Sequence, residues 1–113
     1  MPYMMVQTNA EIPDAAAFMS RSSGFLSRKL GKPESYVMIA IEPATDMMFS
    51  GSSESCVYAE LKSIGLPESQ TTALSQALCE FLATELGVAA DRVYIEFAAV
   101  PATMWGWNSS TFG

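Results

Sequence analysis

Short apolar stretches alternate along the chain with longer segments whose apolar residues recur every three or four positions, and the alternation runs through twice. Tyr3 to Thr8 (YMMVQT) predicts a short strand. Pro13-Asp14 then marks a helix start, with Phe18, Ser22, Phe25, Leu26 and Leu30 on one face at helical spacing. Gly31 stops that helix, Lys29 and Lys32 sit near the negative end of its dipole, and Pro33 lies beyond. Tyr36 to Glu42 (YVMIAIE) predicts a second strand. After the Gly/Ser-rich connection FSGSSES the order begins again. Val57 to Ile64 (VYAELKSI) alternates with period two, as a half-buried strand does. Pro67-Glu68 opens a helix striped by Leu74, Ala77, Leu78, Phe81, Leu82 and Leu86; Gly87 closes it, and Val93 to Val100 (VYIEFAAV) is the matching strand. The two helix exits even correspond, GKPESYVMI in the first half and GVAADRVYI in the second.

The pattern predicts an α+β fold made of a duplicated β-α-β unit, over about residues 1–43 and 56–101 of a single domain spanning 1–113. Each crossover should be right-handed, which makes the strands within a unit parallel. Two such units side by side give a four-stranded mixed sheet with both helices on one face. The other face then carries apolar residues without a cover, and it needs a partner. Composition agrees. Half of the residues are apolar and only 16% are charged, against about 25% in an ordinary soluble domain. The shortfall in charge predicts surface hidden in an oligomer.

Net charge of −6 argues against nucleic-acid binding, which needs a basic footprint. No basic amphipathic stretch suits a membrane surface, and no apolar run approaches the length of a membrane span. The first residues lack the basic and apolar regions of a signal peptide, so the expected location is cytoplasmic, or outside the cell by a route without such a signal. Two cysteines, Cys56 and Cys79, make no disulfide framework and no CxxC pair, and Cys79 in ALCEFL is expected to be a small buried hydrophobe. Histidine is absent, which removes histidine-dependent triads and most transition-metal sites. No metal or cofactor is expected. Glu54, Glu60, Glu68 and Asp91 fall where carboxylates are usually solvated, and Asn108-Ser109-Ser110 reads as a chance glycosylation acceptor.

One candidate base remains. Methionine aminopeptidases remove an initiator methionine that precedes a small residue, and here that residue is Pro2. The product would carry a free secondary amine. An α-amino group titrates near ~8 in water, and burial or a neighbouring cation lowers that value toward neutrality. That is the range in which proton abstraction beside a carbonyl works best. The dipeptide alone fits equally well a proline merely tolerated at a strand start.

Several ordered stretches raise the first reading: the Met-Pro start, TN at 8–9, GKP at 31–33, SGSSESC at 50–56, SIG at 63–65, DRVYI at 91–95 and GWNSSTF at 106–112. Through them the whole chain resembles the macrophage migration inhibitory factor family, which includes D-dopachrome tautomerase. The resemblance implies a homotrimer whose three sheets wrap into a barrel with helices outside. It also implies keto–enol tautomerase activity on aromatic α-keto acids such as phenylpyruvate, in pockets between subunits. Carried over by position, Pro2 is the base and Lys32 binds the substrate carboxylate or carbonyl while helping to keep the amine unprotonated. Ile64 lines the pocket, Tyr94 comes from the adjacent chain, and Tyr36, Trp107 and Phe112 form an aromatic surround. On strand alternation alone, Tyr58 suits an interface as well as Tyr94 does.

Two positions depart from the family. Glu96 stands where animal members carry asparagine; facing the pocket, its charge would favour protonated Pro2 and repel a carboxylate, which predicts altered substrate preference or weaker activity with a higher pH optimum. Trp105 replaces a smaller apolar residue, and it either narrows the pocket mouth or packs on Trp107 and Phe112. The second cysteine of the family's CxxC is missing, since the stretch is Cys56-Val57-Tyr58-Ala59, so no dithiol mechanism is available. Two other classes of function compete: a cytokine-like factor that binds a protein receptor and keeps only vestigial catalysis, and a hydratase or dehalogenase of the wider superfamily in which Glu96 activates water.

Overall fold

Both halves close into strand–helix–strand units in the computed structural model, which describes residues 1–113. The first unit is β1 (Tyr3–Thr8), α1 (Ala15–Leu30) and β2 (Met38–Glu42); the second is β3 (Val57–Ile64), α2 (Thr71–Leu86) and β4 (Val93–Val100). Strands are parallel within each unit, and β1 runs antiparallel to β3, giving a four-stranded mixed sheet in the order β2-β1-β3-β4.

The period-two pattern sets the faces. Along β3, Val57, Ala59, Leu61 and Ser63 are buried while Tyr58, Glu60, Lys62 and Ile64 stay half-exposed. The buried set meets Phe18, Phe25 and Leu26 from α1 and Leu74, Leu78 and Leu82 from α2, so both helices cover the same face. Phe81 joins the two helices, stacking on Phe25 at 4.5 Å between ring centroids and tilting toward Phe18 at 6.1 Å. The opposite face carries Tyr3, Met5, Met38 and Tyr94, the last two 65% and 64% exposed. Gln7, Glu60, Lys62 and Glu96 share it, so the uncovered face that the strand pattern predicts is present and mixes apolar with charged residues.

Helix ends follow local chemistry. Asp14 accepts the Ala17 N–H at 3.1 Å as an N-cap, and Gly31 closes α1 in the left-handed region at φ 63°. The boundaries differ from expectation at two prolines. Tyr36 lies in a 3-10 turn, Glu34–Tyr36, and the strand starts at Met38. Pro33 sets up that turn, its carbonyl accepting the Tyr36 N–H at 3.0 Å. Pro67 does the same ahead of α2, which begins at Thr71 after the turn Glu68–Gln70. Cys79 is only half-buried on the flank of α2, outside the core, because helical spacing turns it away from Leu74, Leu78 and Leu82.

A hairpin of β5 (Gly106–Trp107) and β6 (Ser110–Thr111) follows β4. Its turn residues Asn108 and Ser109 both have positive φ, 51° and 64°, as a tight two-residue hairpin requires. Hydrophobic periodicity has nothing to detect in strands of two exposed residues.

The β2–β3 connection is held from outside. The Arg92 guanidinium donates to the carbonyls of Phe49, Ser52 and Glu54 at 2.7, 3.1 and 2.8 Å, and lies 5.1 Å from the Phe49 ring centroid. Asn9 donates to the Ser53 and Glu54 carbonyls at 3.0 and 3.1 Å and accepts the Cys56 N–H at 2.9 Å. Lysine cannot reproduce the planar fork of donors. Arg92→Lys is therefore expected to loosen this loop while leaving β1 and β3 intact. Hydrogen exchange checks it: protection should fall at Phe49 and Ser52, whose amides bond each other's carbonyls. Unchanged protection there would show that Asn9 suffices.

Candidate active site

Pro2 immediately precedes β1, and its carbonyl accepts the Met38 N–H at 3.0 Å, extending the parallel ladder by one bond. Strand alternation places it on the same side as buried Met4 and Val6, and the residue is fully buried. It forms part of the wall of a cavity of about 300 Å³ at one end of the sheet.

Four predicted aromatic residues line that cavity: Tyr36, Trp105, Trp107 and Phe112. Trp107 and Phe112 stack at 5.5 Å and 13°, and the Tyr36 ring meets each edge-on at 5.8 Å. The 3-10 turn aims Tyr36 at this cluster, and the C-terminal hairpin presents the other two. Phe112 N–H donates to the Trp105 carbonyl at 3.2 Å, which ties the hairpin to the wall. Trp105 joins Phe112 through that backbone bond and also lines the cavity.

The electrostatics favour an unprotonated amine. The Met1 amino group, half-buried at the same cavity, is pushed below its usual 8.0, first by burial and then by the charge of Lys32. Lys32 is fixed by the helix exit: its N–H donates to the Ser27 carbonyl at 3.1 Å, and the Ser27 hydroxyl donates to the Lys32 carbonyl at 2.6 Å.

Four predicted residues do not line the cavity within one chain: Lys32, whose charge nonetheless acts on the Met1 amine, and Ile64, Tyr94 and Glu96. Ile64 ends β3, and continuing the antiparallel register from Tyr3↔Lys62 puts it at the same end of the sheet without lining the cavity. Tyr94 and Glu96 face the open side, in the rows of Gln7 and Met5 and two strands away from β1. That is roughly 17 and 10 Å along the strand from Pro2, plus about 10 Å across. Tyr94 packs on Phe49 at 4.6 Å. Glu96 accepts the Tyr58 hydroxyl at 3.1 Å, and burial together with Glu96 and Glu60 pushes that phenol above its usual range.

The cavity also contains residues that the motif reading missed, above all Tyr3 and Met38. They are paired partners in the first row of β1 and β2. Their signal was available: a parallel first unit puts the residue after Pro2 beside the start of the second strand.

A mixed sheet of two strand–helix–strand units, with the second-residue proline buried in an aromatic cavity at one end, defines the tautomerase type of α+β protein. A family profile described as macrophage migration inhibitory factor matches residues 1–113. The chain belongs to that family. It is 38% identical over 117 residues to a macrophage migration inhibitory factor homolog from Brugia malayi, covering 100% of each. It is 37% identical to the macrophage migration inhibitory factor of Rattus norvegicus, covering 99% of each. Among solved structures, a homologue from Prochlorococcus marinus superposes with a TM-score of 0.92 at 42% identity, covering 98% of this chain and 99% of the other. The factor from Trichinella spiralis gives 0.91 at 32% identity, covering 97% and 99%. No helix is long and apolar enough to cross a membrane.

Proposed function

We propose that this protein is a keto–enol tautomerase of aromatic α-keto acids such as phenylpyruvate, with the Pro2 amine as its general base once Met1 has been removed. The observation that carries the reading is the buried Pro2 in an aromatic cavity whose terminal amine is already held below its usual value by burial and by Lys32. In the enolising direction the unprotonated amine takes a proton from the carbon beside the carbonyl. The C–H electrons become the C=C bond, and the carbonyl oxygen gains a proton; ketonisation is the reverse. Lys32 offsets the charge of the substrate carboxylate and of the developing oxyanion.

The working unit is a homotrimer in which a neighbour's sheet covers the open face. Its support is the exposed Met38 and Tyr94 on that face, and the distance that keeps Tyr94 from Pro2 of its own chain. The neighbour's Tyr94 and Glu96 would complete the cavity, with Ile64 at its rim. Hydration or dehalogenation needs a water-activating group beside the base, and Glu96, the candidate for it, is engaged by the Tyr58 hydroxyl at 3.1 Å.

The test is ketonisation of phenylpyruvate, followed by enol absorbance on protein whose intact mass shows Met1 removed. No turnover by such protein would sink the reading. Lys32→Gln is expected to lower kcat/KM about 10- to 100-fold. It should also shift the acid limb of the pH profile. Lys32 lowers the pKa of the Met1 amine. It acts the same way on the Pro2 amine of the processed chain, so its removal raises that pKa and moves the limb to higher pH. An unmoved limb would assign the lowered pKa to burial alone.

A further inference from the structure

Glu60 and Glu96 stand opposite each other in one row of the sheet. They are register partners on β3 and β4, and both side chains take the face away from the helices. Neighbouring strands lie ~4.8 Å apart, so the two carboxylates repel. Lys62, the one cation on this face, is on the Glu60 side, its Nζ 3.7 Å from that carboxylate. On β1 the same row holds Met5, which offers no donor.

The group that reaches both carboxylates is the Tyr58 hydroxyl, 3.1 Å from Glu96 and 3.5 Å from Glu60. A hydroxyl has one proton to donate, and the shorter distance gives it to Glu96. Burial, and then the bond to Glu96, push the phenol above its usual range, so it keeps that proton through neutral pH. Other groups of this face are engaged elsewhere. Gln7 donates to Glu42 at 2.9 Å, Tyr94 packs on Phe49 at 4.6 Å, and Tyr3 lines the Pro2 cavity. Glu60 therefore pushes Glu96 off its own sheet, and Tyr58 holds it there.

We propose that Tyr58 is a positioning residue whose hydroxyl ties the Glu96 carboxylate to its own sheet and so limits the negative charge that Glu96 brings to a neighbouring subunit's Pro2. The proposal rests on the trimeric tautomerase reading above, in which the groups around that amine are Lys32, Tyr3 and Tyr36 of its own chain and the neighbour's Tyr94 and Glu96. An unrestrained glutamate there would favour the protonated amine. Held by Tyr58, the same glutamate is compatible with a working base.

Titration of the Pro2 amine in Met1-free protein, followed by nitrogen NMR of isotope-labelled proline, tests this without turnover. Tyr58→Phe, which removes only the hydroxyl, is expected to move the titration to higher pH, and Glu96→Gln to move it to lower pH. With Gln at position 96 the Tyr58→Phe change should have no effect, an outcome that general loosening of the sheet would not give. On the acid side of the pH profile, Tyr58→Phe should lower kcat/KM about 2- to 5-fold. An unmoved titration in Tyr58→Phe, or an equal shift with Gln at position 96, overturns the proposal and leaves the tautomerase standing. These shifts in protein that fails to turn over phenylpyruvate would sink the activity and leave the role of Tyr58 intact.

Discussion

Protein that retains Met1 is expected to turn over phenylpyruvate about 10²- to 10⁴-fold more slowly than the same protein with Met1 removed, the range of a lost general base. The physical cause is local. With Met1 in place the Pro2 nitrogen is an amide whose lone pair is delocalised into the carbonyl, and it has no basicity near neutral pH. Once free, the same nitrogen is a secondary amine at the wall of a cavity where burial and Lys32 already depress a terminal amine. Separating the two forms and assaying them side by side, with intact mass as the index of processing, isolates this one bond. Pro2→Gly complements it, since a glycine amine is still a base but lacks the ring that fixes its direction; a smaller fall is expected there. Equal rates for the retained and processed forms would remove Pro2 from the chemistry.

Phe18→Ala is expected to destabilise the fold by about 3–5 kcal/mol. Phe18 is 1% exposed, inside the cluster where α1, α2 and the sheet meet. Truncation there leaves a cavity in a cluster shared by both strand–helix–strand units, with Phe81 of α2 on one side. Small domains are stable by only about 5–15 kcal/mol, which makes this a large share of the total. The melting temperature should fall by more than about 10 °C in a chain of this size. Oligomerisation ties stability to concentration, so protomer concentration must be held fixed in the comparison. Trp107→Ala serves as the contrast. That side chain is 55% exposed on the hairpin, so its loss should barely move the melting temperature while impairing the cavity. A Phe18→Ala protein melting within a degree or two of the wild type would show that the two helices are held by something other than this cluster.

Much of this architecture was legible in the residues. The strands Tyr3–Thr8, Val57–Ile64 and Val93–Val100 have the predicted bounds, because period-two alternation is a local property that the sheet only has to accept. The faces of α1 and α2 follow for the same reason: the apolar stripes repeat at helical spacing, and glycine ends both helices in the left-handed region. Predicted bounds failed where proline changed the local path. Pro33 and Pro67 each insert a 3-10 turn, which shortens β2 and delays α2. Cys79 failed for a related reason, since an apolar neighbourhood in sequence does not say which side of a helix a residue takes.

The site divides along the same line. Pro2, Tyr36, Trp105, Trp107 and Phe112 were named from motifs, and the structure gathers them around one cavity. Tyr3 and Met38 escaped because neither residue type announces chemistry, and only following the parallel pairing of the first unit down to its first row brings them together beside Pro2.

By itself, then, the sequence determined the strand–helix–strand duplication, the covered and uncovered faces, and the chemical candidacy of a proline at position two. These depend on periodicity and on residue chemistry, which neighbours along the chain carry. The tertiary structure alone decided that a hairpin too short for any periodic signal supplies much of the aromatic wall. It also decided that Tyr94 and Glu96 lie far from Pro2 in the same chain. Those facts depend on strand register and on how the last residues fold back, and contacts between distant segments are fixed only when the sheet has formed.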